Sequence, residues 1–150
     1  MESLLSHDIP CYYAPLTSLS SLLPRVSLVL LGTASLLANG SLWSRAGTAT
    51  VAMMAHSRKI PVIVCCETYK FSERVRLEAV GGNERADPTP LLPQGGAGGD
   101  ADSENLWALN LLYDLTPSRY ITAIASEVGL SGPESVAILL RDYKSILFGS

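Results

Sequence analysis

Val26-Ser-Leu-Val-Leu-Leu31 and Pro61-Val-Ile-Val-Cys-Cys-Glu67 decide the fold. Each is a nearly continuous apolar run of strand length, which predicts a strand covered on both faces, as in a parallel sheet. Between them stands Leu36-Leu37-Ala38-Asn39-Gly40-Ser41-Leu42-Trp43. Asn-Gly flanked by apolar residues predicts a hairpin, because both turn positions accept positive φ. A helix is predicted from Ser44, as N-cap, to about Arg58, with Ala46, Gly47, Ala49 and Ala52 forming a small-residue face that lies close on a sheet.

Working outward, Ile9 to Ala14 reads as a short strand limited by Pro10 and Pro15, and Leu16 to Leu23 as one or two helical turns before Pro24. Leu106 to Leu115 is a third strand candidate. Pro117 then opens a helix with Ile121, Ile124 and Val128 at helical spacing, closed by Gly129. Pro133 opens a last helix with Val136, Leu139, Leu140, Tyr143 and Leu147 along one side. The order is α/β: a Rossmann-like, mostly parallel sheet flanked by helices. Only three or four strands are present, and Met1 to His7 reads as the end of a helix whose strand is missing. The expectation is one domain over 1–150, the truncated C-terminal part of a larger fold. The stretch at about 81–104, with Gly81-Gly82, three prolines and Gly95-Gly96-Ala97-Gly98-Gly99, reads as a flexible surface insertion.

Composition narrows the function classes. At 47% hydrophobic and 17% charged residues the 150-residue chain is a core-forming protein rather than a disordered one. A net charge of −3 with no basic block argues against an extended nucleic-acid footprint. Cys11, Cys65 and Cys66 make no metal spacing and no disulfide pattern, which suits a reducing compartment. The start Met1-Glu-Ser-Leu-Leu-Ser-His-Asp has no basic n-region, and Val26 to Trp43 falls short of the ~20 apolar residues that a membrane span needs. A cytosolic setting is expected.

Ligands in an open α/β sheet bind beyond the carboxyl ends of the strands. Here those ends are Gly32 to Ser44 and Glu67 to Phe71. Backbone N–H groups at Arg45, Ala46 and Gly47, the Arg45 cation, the Thr48 hydroxyl and Lys70 make a reasonable phosphate cradle at Ser44, Arg45, Gly47, Thr48 and Lys70. The plainer reading is that Gly47 allows close packing, Arg45 meets a surface acid and Lys70 is solvated. Glu67 is the best acid–base candidate by position, and equally a partner for Arg45 or Lys70. His7 and His56 have no evident companions. No nucleophile elbow, Walker loop or metal constellation is visible, and no cofactor is expected.

Leu30-Leu31-Gly32, Leu37-Ala38-Asn39-Gly40-Ser41, Ser44-Arg45, Gly47-Thr48 and Pro61-Val62 through Cys65-Cys66-Glu67-Thr68-Tyr69-Lys70-Phe71 together resemble the core block of one family. That family joins the alpha, beta and delta subunits of initiation factor 2B to isomerases of methylthioribose-1-phosphate and ribose-1,5-bisphosphate. The Cys65 to Phe71 run, Glu73-Arg74-Val75 and Leu109 to Pro117 are most similar to the delta branch. The isomerases carry Gly-Ala-Asp where this chain has Gly32-Thr33-Ala34, so Ala34 occupies the catalytic aspartate's position. Their Asn-Lys pair is Ser44-Arg45 here, and their catalytic cysteine would precede Met1. A methyl group cannot exchange a proton, so the resemblance implies a non-catalytic regulatory subunit of the guanine-nucleotide exchange factor complex acting on initiation factor 2. It implies the alpha, beta, gamma and epsilon subunits as partners, no DNA and no membrane, and a subunit interface at Leu109, Asn110 and Leu111. On periodicity alone, Leu109 and Leu111 are alternating strand residues. The alternatives are an isomerase descendant or a sugar-phosphate or nucleotide sensor. The family's N-terminal helical domain and first strands are expected to be absent.

Overall fold

The computed structural model describes residues 2–91 and 107–148. The chain begins with α1 (Glu2–Leu5), then three short consecutive turns, Leu16–Ser18, α2 (Leu19–Leu22) and Leu23–Arg25. There follow β1 (Val29–Gly32), β2 (Ser35–Leu37), β3 (Leu42–Arg45), α3 (Thr48–Ser57), β4 (Val62–Cys65) and β5 (Phe71–Ser72). The remainder is β6 (Tyr113–Thr116), β7 (Ala123–Ser126), β8 (Gly129–Ser131) and α4 (Val136–Phe148).

The strands form two four-stranded sheets. In the first, ordered β1-β4-β7-β8, the first three strands are parallel and β8 is antiparallel. The second, ordered β5-β2-β3-β6, is mixed, with β5 parallel to β2 and the other pairs antiparallel. The two apolar runs of the sequence become the neighbours β1 and β4, paired from Val29–Val62 to Gly32–Cys65 and joined through α3. Val29 and Val62 pack on Ala52 and Ala55 of α3 and on Leu23. The small alanine faces let helix and sheet approach closely. Further along the same sheet face, Val64, Cys66 and Ile124 meet Leu36 and Leu42 of the second sheet and Val136 of α4. Each such buried aliphatic side chain contributes about 1.5–3 kcal/mol.

The Asn39-Gly40 hairpin forms as expected. Gly40 has φ +75°, its N–H donates to Leu37 O at 2.8 Å, and Ser41 N–H donates to Asn39 Oδ1 at 3.1 Å. Gly40 also lies against the backbone of Pro133, where a Cβ would meet the carbonyl oxygen at 2.4 Å. The α4 segment, opened by Pro133 as predicted, therefore docks directly on the hairpin.

Several local expectations are corrected. Residues 9–15 carry no strand. Leu106–Leu115 yields only β6, and 92–104 of the expected insertion lies outside the described residues, as do the side chains of Tyr143 and Leu147. The helix predicted from Pro117 is one 3-10 turn, Ser118–Tyr120, followed by β7. Ile121 and Ile124 both enter the core, but the chain between them is extended along β4: Thr122 N–H donates to Val62 O at 2.8 Å, and Val62 N–H to Thr122 Oγ1 at 3.0 Å. Cross-strand bonding overrides a spacing that also suits a helix. Finally, the described residues cover β1 on one face only, and Leu30 is 63% exposed.

Candidate functional site

The start of α3 is where an anion was expected, and the structure supplies one from the chain itself. The helix begins at Thr48 after Gly47, whose φ of +103° turns the chain out of β3. Gly47 N–H donates to Asp114 Oδ2 at 2.7 Å, and Ala49 N–H donates to the same oxygen at 3.0 Å. Ala46 N–H is taken by Leu112 O at 2.9 Å. Asp114 thus serves as the cap that these free N–H groups require, delivered by β6 rather than by the residues preceding the helix. Burial pushes the Asp114 carboxyl above its ordinary value, and the N–H bonds from Ala49 and Gly47 pull it back. Its other oxygen, Oδ1, is buried and has no partner among the described residues. Asp114 stands 67 positions from Gly47, so no local pattern revealed it.

Ser44, predicted as the N-cap, is a buried residue of β3 opposite Asp114, and its hydroxyl donates to Gly32 O at 3.2 Å. The pairing of β3 with β6 holds it in a strand. The Arg45 guanidinium lies 5.0 Å from the Tyr113 ring centroid. Thr48 Oγ1 donates to Arg45 O at 2.7 Å. Lys70 makes an ion pair with Glu67 at 2.8 Å, which settles the two partners left open for that acid. Their hydrogen bond raises the Lys70 pKa and lowers that of Glu67.

Lys70 lines a cleft of about 540 Å³, together with Ala34, Ser35, Trp43, Arg74 and Arg76. Ser44, Gly47 and Thr48 do not line it. Four planar groups stack at its wall. The Arg76 guanidinium lies 4.2 Å from the Trp43 centroid, Trp43 stacks on Tyr113 at 5.7 Å, and Arg45 covers Tyr113. Lys70, Arg74 and Arg76 give the cleft a positive lining, whereas among the described residues no carboxylate, imidazole or thiol lines it. Such a lining can attract an anion.

Leu109–Leu111 is not a strand. Leu111 bridges Arg85, Ala86 N–H donates to Asn110 O at 2.8 Å, and Leu112 N–H donates to Glu84 O at 3.0 Å. Asn110 Nδ2 donates to Asp87 O at 2.7 Å, so its side chain clips this ribbon internally. Leu109 stays half exposed, beside the exposed Trp107.

A further contact escaped the sequence reading. Glu127, following β7, accepts from Thr68 N–H at 3.0 Å and from the Thr68 hydroxyl, tying the turn after β4 to the turn after β7. The hydroxyl bond, chiefly, lowers the Glu127 pKa. Beside it, burial pushes the Cys66 thiol up to about 11, the opposite of what a nucleophile needs. Among the described residues no group of three His, Cys, Asp or Glu could hold a metal, and no helix is long and apolar enough to cross a membrane.

The profile of the Initiation factor 2 subunit family matches residues 1–133. The chain belongs to this family. It is 39% identical over 152 residues to translation initiation factor eIF2B subunit delta of Dictyostelium discoideum, covering 96% of this chain and 25% of that protein. To the delta subunit of Schizosaccharomyces pombe it is 36% identical over 155 residues, covering 97% and 33%. The family also contains enzymes: ribose 1,5-bisphosphate isomerase of Pyrococcus furiosus is 29% identical over 94% of this chain and 43% of its own length. A translation initiation factor eIF-2B structure from Pyrococcus horikoshii superposes with a TM-score of 0.68 at 25% identity, covering 88% of this chain and 43% of that one. The chain thus spans a quarter to a third of the delta-subunit relatives.

Proposed function

We propose that this member of the initiation factor 2 subunit family is a regulatory, non-catalytic subunit of the guanine-nucleotide exchange factor complex acting on translation initiation factor 2. It works by assembling with alpha-, beta-, gamma- and epsilon-type subunits in the cytosol. The observation that carries this reading is the cleft at Ala34. By the resemblance, Ala34 stands where the isomerases carry aspartate, and among the described residues the surrounding lining holds no carboxylate, imidazole or thiol. The 36% and 39% identities to delta subunits, each over nearly the whole chain, support the same branch. The partner-facing residues in this reading are Leu109 and Leu111, with Asn110 shaping the ribbon that presents them. Affinity capture of the full-length protein from its own cells is the test: recovery of the other subunit types is expected, and recovery of none of them sinks the reading.

A second reading, a sugar-phosphate or nucleotide sensor, draws support from the positive lining formed by Lys70, Arg74 and Arg76. An anion held by Ser44, Arg45, Gly47 and Thr48 would compete with Asp114 for the Gly47 and Ala49 N–H groups. Calorimetry with ribose 5-phosphate distinguishes the two loci. Binding that strengthens in Asp114→Asn assigns the helix start, binding lost in Lys70→Ala with Arg74→Ala assigns the cleft, and no heat at all removes the sensor reading.

A further inference from the structure

Open α/β sheets bind ligands beyond the carboxyl ends of their strands. At the opposite end, where β4 and β7 begin, lies another cavity, of about 560 Å³. Ile60 and Pro61 give it an apolar wall, and His56, Ser57, Lys59 and Thr122 complete the lining. Thr122 also lines a cavity of about 360 Å³ that contains Arg119, so the two run together as one groove. The Tyr120 ring ties its sides: His56 meets it edge-on at 5.4 Å, and the Arg119 guanidinium lies 4.7 Å from its centroid. Charge here is unbalanced. No Asp or Glu occurs between Asp8 and Glu67, or between Asp114 and Glu127, so the segments carrying His56, Lys59 and Arg119 bring cations only. Arg58, Lys59 and Arg119 are exposed, and none makes an ion pair among the described residues. In a chain of net charge −3 this is a local reversal of sign. Lys59 is also strained, with φ +58°, in the left-handed region where glycine or asparagine usually ends a helix. The end of α3 does not need that lysine. Ala55 O and His56 O already accept from the N–H groups of Arg58, Lys59 and Ile60. The cation that a helix C-terminus favours is supplied by Arg58, at an unstrained φ of −99°. Strain kept without a structural return marks a functional position.

We propose that this groove docks an acidic peptide segment of a partner protein, its carboxylates meeting Lys59, His56 and Arg119 and an apolar side chain resting on Ile60 and Pro61. Charge complementarity selects the occupant. A nucleic acid is a poorer match, because this compact cluster falls short of the roughly six to ten phosphate contacts of a typical nucleic-acid site. The apolar wall also offers nothing to a phosphate backbone. Glu134 sets the direction, since it is the carboxylate that lines the groove, at the end formed by Asn39 and Pro133. It repels acid there, which places the acidic part of the peptide at the Lys59 end. The groove is distinct from the cleft at Ala34 and does not depend on the regulatory reading above.

Fluorescence anisotropy of the full chain tests this. The probes are a fluorescein-labelled heptapeptide, Glu-Asp-Leu-Asp-Glu-Leu-Asp, its counterpart with Lys and Arg at the acidic positions, and a short oligouridylate. The acidic peptide is expected to bind, and to bind less tightly as added salt screens the exposed charges. Lys59→Gly combined with Arg119→Ala should weaken it at least about five-fold, as the loss of two exposed ion pairs implies. Lys59→Gly alone removes the left-handed strain, so it should weaken the peptide while the Tm does not fall, which separates lost binding from lost folding. No anisotropy change with the acidic peptide overturns the proposal. Undiminished binding by the double variant, equal binding of the basic peptide, or tighter binding of the oligouridylate does the same.

Discussion

Asp114 and Glu127 are carboxylates that hold this chain together in opposite electrostatic senses. Asp114 joins β6 to the first turn of α3, and a cap of this kind is worth about 1–2 kcal/mol. Asp114→Ala is therefore expected to lower the urea-unfolding free energy by that amount, with Asp114→Asn losing less because it keeps an acceptor oxygen. An Ala variant as stable as the parent would show that the Gly47 and Ala49 bonds contribute nothing. Because the folded pKa of Asp114 is raised, the protonation-linked part of its contribution is fully present below the unfolded value and is lost as pH rises through the folded one, while the bonds to Gly47 and Ala49 remain. Glu127 runs the other way. Its pKa is lowered, so its contribution is present above the unfolded value and disappears as pH falls through the folded one. Carbon-detected NMR titration should place Glu127 below an ordinary glutamate, and Thr68→Val should move it upward. A midpoint that ignores the Thr68 change would contradict the contact.

At the scale of elements, two glycines with positive φ give a controlled comparison. Gly129 has φ +115° and open space around its missing Cβ, so Gly129→Ala should cost only the conformational penalty, about 1 kcal/mol. Gly40 adds a backbone collision with Pro133 to its φ of +75°, so Gly40→Ala should cost more than about 2 kcal/mol and loosen α4 from the hairpin. Equal losses in urea unfolding would contradict the docking of α4 on the hairpin. The elements that were legible in the sequence share a physical reason. The strands β1 and β4 and the Asn39-Gly40 turn are written in local apolar runs and turn chemistry. What was not legible is non-local: β7 is a strand because β4 supplies its partners, although Ile121 and Ile124 also fit a helix. The second sheet depends on β5, two residues long, and on β3 finding β6 across a wide gap in sequence. Ser44 had the right chemistry for an N-cap, but the ladder to Asp114 holds it in a strand and gives the capping role to its opposite number.

For the molecule as a whole, the proposed role is binding rather than turnover. The resemblance implied a lost acid at Ala34, whereas no local pattern pointed to the stack Arg76-Trp43-Tyr113-Arg45, since it draws on three distant segments. That stack places the Arg45 guanidinium against the Tyr113 ring. Placing an acid there should not give chemistry: Ala34→Asp is expected to show no isomerisation of ribose 1,5-bisphosphate by phosphorus NMR, since among the described residues no thiol lines the cleft to act with it. Turnover in that variant would mean that the cleft retains more of the enzyme than its lining suggests. The most direct measurement is quantitative affinity capture of the full-length protein from its own cells, beside its Leu109→Asp variant. The account predicts that the parent recovers the other subunit types of the exchange factor, and that the variant loses partner while remaining folded. Capture of none of those subunits by the parent, together with isomerisation of a sugar phosphate, would contradict it.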